Sequence, residues 1–147
     1  MCARVTDVMT EDVVTCERET ALEAAAKRMV AEEVGSVVVT TDGTPYGIVT
    51  ETDVVYASYR ADRPISEIPT QKVTSHPLET VEPTAPVRLA AERMREERIK
   101  KLVVLEDLTL RGIVTTWDLV EHYGELTRNV KAIRQRRQRR AGEWTDF

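Results

Sequence analysis

One short string occurs twice in the chain, as Gly47-Ile48-Val49-Thr50-x-x-Asp53 and Gly112-Ile113-Val114-Thr115-x-x-Asp118. An apolar pair running into Thr reads as a strand that stops there, with a helix beginning behind it. Thr then caps the helix, and Asp stands in the first turn, near the positive helix end. Unpaired N–H groups at a helix start suit a phosphate, and a carboxylate beside them suits two ribose hydroxyls. The plainer alternative is capping alone, with the glycine placed for a turn, since S/T-x-x-D/E is frequent at helix starts. Two copies in matching context weigh against the plainer alternative.

Other chemistry finds less support. Cys2 and Cys16 make no disulfide framework, and a reduced, intracellular setting fits them. Cys16 aligns with Val81 and reads as a small core residue. His76 and His122 are far apart and too few for a histidine metal site. There is no glycine-rich phosphate loop of the Walker or dinucleotide type. No apolar run approaches the ~18 residues of a membrane span, and no secretory signal is present. The expectation is a cytoplasmic protein that is not an enzyme, with no cofactor and no metal.

The elements that hold the doubled string are themselves doubled. With Thr15 laid on Thr80, segment 15–53 falls on 80–118 without a gap, and 16 of the 39 pairs are identical. Upstream, Val5–Thr10 echoes Ile65–Thr70, a shorter offset, with extra residues around Gln71–Pro77 absorbing the slip. Each copy reads as β–α–β–β–α. Val13–Cys16 is a short strand. Glu19 or Thr20 caps a helix whose apolar face is Leu22, Ala25, Ala26, Met29 and Val30, matched by Val87, Ala90, Ala91 and Met94. Val37–Thr40 and Leu102–Leu105 are nearly all apolar, as in strands covered on both faces. Asp42-Gly43 is a strong hairpin turn, whereas Asp107-Leu108 is a weak one. The fold class is α/β: two pseudo-symmetric repeats, 1–62 and 63–125, packed sheet to sheet as one globule. A basic helical tail, 126–147, follows.

The net charge of −4 averages two unlike parts. Residues 1–127 hold 14 Lys and Arg against 23 Asp and Glu, whereas 128–141 hold seven basic residues and no acidic one. The acidic part has no bulk attraction for nucleic acid. The 128–141 segment is either a solvated helix end or a site for RNA, DNA or an acidic partner.

Taken together, the doubled pattern resembles a pair of cystathionine-β-synthase (CBS) domains. The residues that carry the resemblance are Asp7–Thr10, Thr15–Met29, Gly35–Val39 and Gly47–Asp53 in the first copy. In the second they are Thr80–Pro83, Ala90–Met94, Lys101–Val104 and Gly112–Asp118. The resemblance covers roughly residues 5–124. It implies a regulatory, energy-sensing module that binds AMP, ADP, ATP or S-adenosylmethionine in clefts between the repeats, pairs as a homodimer and acts on a regulated protein.

By resemblance, one site uses Ile113, Thr115 and Asp118 with Thr10, Val14, Val34 and Gly35. The other uses Ile48, Thr50 and Asp53 with Thr74, Glu79, Ile99 and Lys100, and Lys100-Lys101 touch phosphate. The copies differ where Lys100-Lys101 meets Gly35-Ser36, so their phosphate affinities differ. Glu51 and Glu79 repel phosphate near Asp53. Trp117 stacks on a ligand or fills space. The alternative function is a structural adaptor with empty clefts, whose basic tail carries the binding.

Overall fold

The computed structural model describes residues 3–122. The expectations for Cys2 and for the 126–147 segment, nucleic-acid binding included, lie outside the described residues. Along the chain the elements are α1 (Val5–Val8), β1 (Thr15–Glu17), α2 (Leu22–Ala31), β2 (Ser36–Thr41), β3 (Thr44–Thr50) and α3 (Glu51–Arg60). Two 3₁₀ turns, Ile65–Glu67 and Thr70–Lys72, lead to β4 (Thr80–Val81), α4 (Val87–Glu97), β5 (Lys101–Glu106), β6 (Thr109–Thr115) and α5 (Thr116–His122).

The described chain divides into two compact units. One, here the Asp53 unit, contains residues 12–79 and 107–110; the Asp118 unit contains 3–11, 80–106 and 111–122. Each is built around a three-stranded sheet, in the order β1-β2-β3 or β4-β5-β6. The first strand runs parallel to the second, with Thr15 opposite Val38 in one sheet and Thr80 opposite Val103 in the other. Thr15 and Val38 are the residues that the sequence repeat lays on Thr80 and Val103, so the repeat is kept in strand register.

Apolar periodicity accounts for the cores. Leu22, Ala25 and Met29 of α2 pack on Val37, Val39 and Val49. Val87, Ala90 and Met94 of α4 pack on Leu102, Val104 and Val114. Alternation on β2 and β5 turns Val38 and Val103 to the opposite face, and both are fully buried as well. Cys16 is a core residue, and burial pushes its thiol pKa up. The expected helix faces are narrower than their sequences imply. Val30 is 68% exposed, Ala26 is half-buried and Ala91 is exposed, so counted from Leu22 or Val87 it is the third and seventh positions (Ala25 and Met29, Ala90 and Met94) that are buried.

Three further expectations are corrected. First, neither Glu19 nor Thr20 caps α2. Its N-cap is Ala21, with no side-chain bond, and the Leu22 N–H donates to the Ile68 carbonyl at 2.7 Å. Likewise α4 starts after Pro86, and the Val87 N–H donates to Ala3 O at 3.0 Å. In each helix a neighbouring backbone segment satisfies the first of the orphan donors.

Second, the upstream echo of Val5–Thr10 in Ile65–Thr70 is not the structural match. Val5 N–H donates to Ala85 O and Thr70 N–H to Thr20 O; Thr6 N–H donates to Pro83 O and Gln71 N–H to Arg18 O. In its bonding the counterpart of Val5–Thr10 is therefore 70–75, at the same offset as the rest of the repeat. Side-chain similarity favoured Ile65–Thr70, but backbone bonding sets the equivalence.

Third, Asp107-Leu108 turns as Asp42-Gly43 does. The φ values are 49° and 68° against 49° and 82°, so a leucine occupies a left-handed position.

Candidate functional site

The doubled string forms the same structure twice. Thr50 is the N-cap of α3, with its side chain accepting from the Asp53 N–H at 3.3 Å. The Thr50 N–H and hydroxyl both donate to Asp53 Oδ2, at 2.8 and 3.0 Å. Thr115 and Asp118 make these three bonds at the same three distances. Both threonines and both aspartates therefore act as caps, as the plainer alternative requires. At Asp53 the arrangement leaves chemistry over, because its bonds to Thr50 use a single carboxylate oxygen. Oδ1 of Asp53 accepts no hydrogen bond from the described residues.

The backbone ahead of each motif is braced at equivalent points. Glu51 N–H donates to Gly35 O at 3.1 Å, and Thr116 N–H to Lys100 O at 3.0 Å. Val34 N–H donates to Met29 O, and Ile99 N–H to Met94 O, both at 3.0 Å. Before these residues the chain turns through Glu33 and Arg98, at φ 56° and 55°. Arg28 and Arg93 extend from their helices to the carbonyls of Thr15 and Thr80. The first residue after each threonine is thus tied to the segment that enters the central strand, and the helix before that strand is tied to the first strand.

The two glycines of the repeated string are not turn residues. Gly47 lies inside β3 and Gly112 inside β6, and neither has positive φ. They are needed for close approach. A Cβ on Gly47 would stand 2.5 Å from Ser75 O and would also strike the Thr74 methyl. A Cβ on Gly112 would stand 2.7 Å from Thr10 O. The approaching segments pair there: Ser75 N–H donates to Ile48 O at 2.9 Å, and Ser75 O accepts from Ile48 N–H at 3.1 Å. Thr10 and Ile113 exchange the same two bonds, at 2.8 and 2.9 Å.

The described structure places the expected residues as follows. Ile48, Thr50, Asp53, Thr74 and Glu79 belong to the Asp53 unit, together with Val14, Val34 and Gly35. Thr10, Ile113, Thr115 and Asp118 belong to the Asp118 unit, together with Ile99, Lys100 and Lys101. Bonding brings Thr10 to Ile113 and Thr115 to Asp118; in the other unit it brings Thr50 to Asp53. Ser75 was missed: it, not Thr74, is the counterpart of Thr10, and the signal for it was the main repeat offset carried upstream. Thr74 packs on Gly47, and its hydroxyl donates to Thr70 O at 2.8 Å. Asp118 is buried and Asp53 half-buried, while Trp117 is 37% exposed.

Comparison with known proteins agrees with this geometry. The CBS domain family model matches residues 5–60 and again 65–125, so the chain belongs to the CBS domain family and carries two copies. An uncharacterized protein of Methanocaldococcus jannaschii is 29% identical over 84% of this chain and 32% of its own length. An uncharacterized protein of Methanopyrus kandleri is 34% identical over 80% of this chain and 61% of its own. This chain therefore spans about a third to three fifths of those two relatives.

Among solved structures, a conserved protein from Pyrococcus horikoshii superposes with a TM-score of 0.77 at 28% identity, covering 85% of this chain and 95% of that one. The CBS domain protein PAE2072 from Pyrobaculum aerophilum, complexed with AMP, gives 0.72 at 27% identity, covering 80% and 90%.

Proposed function

We propose that this chain is a non-catalytic regulatory module that binds adenosine derivatives (AMP, ADP, ATP or S-adenosylmethionine) at its two Thr/Asp motifs. The observation that carries the reading is the half-used carboxylate. Thr50 fixes Asp53 through one oxygen and leaves the other for a vicinal diol, in a chain whose fold matches a protein complexed with AMP. In this reading Asp53 and Asp118 hold the ribose. Thr50 and Thr115 contact ribose or phosphate. Ile48 with Thr74, Ser75 and Glu79, and Ile113 with Thr10, border the base. Binding shifts the module between two arrangements by differential affinity, and a partner reads the shift. The module acts as a homodimer; Val55 and Tyr59, one turn apart on α3 and 60% and 65% exposed, offer an apolar strip for it.

The test is a melting and calorimetry panel with the four compounds. A ligand at 100 times its Kd adds about 2.7 kcal/mol, a rise of about 5–10 °C for a chain of this size. Asp53→Asn and Asp118→Asn keep a cap acceptor and should abolish the rise at their own sites. No rise with any of the compounds would overturn the reading, and RNA and DNA titrations across a salt series would then examine the 128–141 segment.

A further inference from the structure

The Asp53 unit contains an open cavity of about 750 Å³ whose lining includes one face of α3. Asp53, Tyr56, Ala57 and Arg60 supply that face, at the 3, 4 and 7 spacing of a single helical stripe. Ala57, Ile68 and Val73 make an apolar floor. Arg60, Arg63 and Lys72 bring three positive charges, with Asp53 and Asp62 as the acidic members of the lining.

The cations are poised without anionic partners. No side chain of Arg60, Arg63 or Lys72 makes a hydrogen bond or ion pair with any described residue, Asp62 and Asp53 included. Arg60 is held by aromatic faces instead, its guanidinium carbon 5.1 Å from the Tyr56 centroid and 6.0 Å from that of Tyr59. Three such cations around one cavity are out of keeping with the acidic balance of segment 1–127, where 23 acidic side chains face 14 basic ones. Nor does the repeat account for them, because the counterpart of Lys72 in the Asp118 unit is Asp7. The charge reverses between two otherwise matched positions.

We propose that this cavity is a phosphate-chain subsite. Arg60, Arg63 and Lys72 bind the outer phosphates of a ligand whose ribose diol rests on Asp53. The Asp53 unit therefore prefers nucleoside di- and triphosphates to monophosphates and to S-adenosylmethionine. Asp53 and Arg60 are separated by about 10 Å of helix rise, a span suited to a chain of phosphates rather than to one. The Asp53 end of this proposal rests on the adenosine reading; the cationic end does not.

Calorimetry on the full chain tests the two ends separately, with inorganic triphosphate, ATP and AMP as probes. Inorganic triphosphate should bind, more weakly as salt rises. The double variant Arg63→Gln/Lys72→Gln, altered only at exposed positions, should melt as the parent does. It should lose at least about tenfold in affinity for triphosphate and for ATP, the scale of one charge-assisted hydrogen bond, while AMP stays within about twofold. Asp53→Asn should weaken ATP and AMP but leave triphosphate unchanged.

The subsite is overturned if triphosphate fails to bind, or binds the double variant as tightly as the parent. Equal losses of ATP and AMP in the double variant would overturn it too. Triphosphate binding that depends on Arg63 and Lys72, with no nucleotide binding at all, would support the cationic end and sink the adenosine reading.

Discussion

Gly47 and Gly112 show how one missing methyl can position a site. The atoms a Cβ would meet there include backbone oxygens of Ser75 and Thr10, which are engaged in the paired bonds to Ile48 and Ile113. Gly47→Ala must push that segment away, and a cost of about 1–3 kcal/mol is expected. Urea unfolding measures it, and a change below a few tenths of a kcal/mol would contradict the close approach. Glu17 presents a second residue-scale case. Its carboxylate accepts from the Thr40 hydroxyl at 3.0 Å and from the Gly43 and Asp42 N–H groups at 3.1 and 3.0 Å. The Thr40 bond, then Gly43 and Asp42, hold its pKa below the ordinary value of 4.5. A depressed carboxylate stabilises the fold above its unfolded pKa, and the benefit disappears as pH falls through the lower folded value. Melting temperature should therefore drop on acidification below about pH 4.5 more steeply in the parent than in Glu17→Gln. Parallel curves for the two proteins would refute this. Thr41 is simpler: its hydroxyl is buried without a partner among the described residues, so Thr41→Val should stabilise the protein by about 1 kcal/mol in the same unfolding assay.

At the scale of elements, the repeated string, the central strands and the core stripes were legible in the sequence, because burial imposes periods of two and of three to four on residue choice. Leu22, Ala25 and Met29 announced α2, and Val87, Ala90 and Met94 announced α4. What escaped was decided by backbone rather than side chain. The starts of α2 and α4 take their partners from Ile68 and Ala3 carbonyls, which leave no mark on residue type. The false upstream echo arose in the same way, from side chains that look alike in Val5–Thr10 and Ile65–Thr70. Of the candidate site, the Thr/Asp caps at Thr50, Asp53, Thr115 and Asp118 were legible from their spacing. Ser75 was hidden because its contribution to pairing is made entirely by its main chain. The Asp107-Leu108 turn was underrated because its leucine, at φ 68° and 74% exposed, is a costly choice. Leu108→Gly should therefore raise stability by about 1 kcal/mol, since glycine carries no Cβ penalty there. A fall in melting temperature would show that the leucine side chain has a use of its own.

For the molecule as a whole, the division into units does not follow the division into repeats. Segment 3–11 completes the Asp118 unit through the Val5–Ala85, Val87–Ala3 and Thr10–Ile113 bonds, although its sequence precedes the Asp53 unit. Deleting 3–11 should therefore speed amide exchange at Val87 and Ile113 more than at Val38, whose bond to Val14 lies in the other unit. Equal acceleration at all three amides would contradict that assignment. The same arrangement has a consequence during synthesis. A ribosome adds about 5–20 residues each second. Val5 and Thr10 therefore leave it several seconds before Ala85 and Ile113 exist to receive them. Through that interval residues 12–79 have emerged as one continuous run, while the segment ahead of them waits with its apolar side chains in solvent. A bulky fusion at the front of the chain would thus burden the half of the protein that is made last.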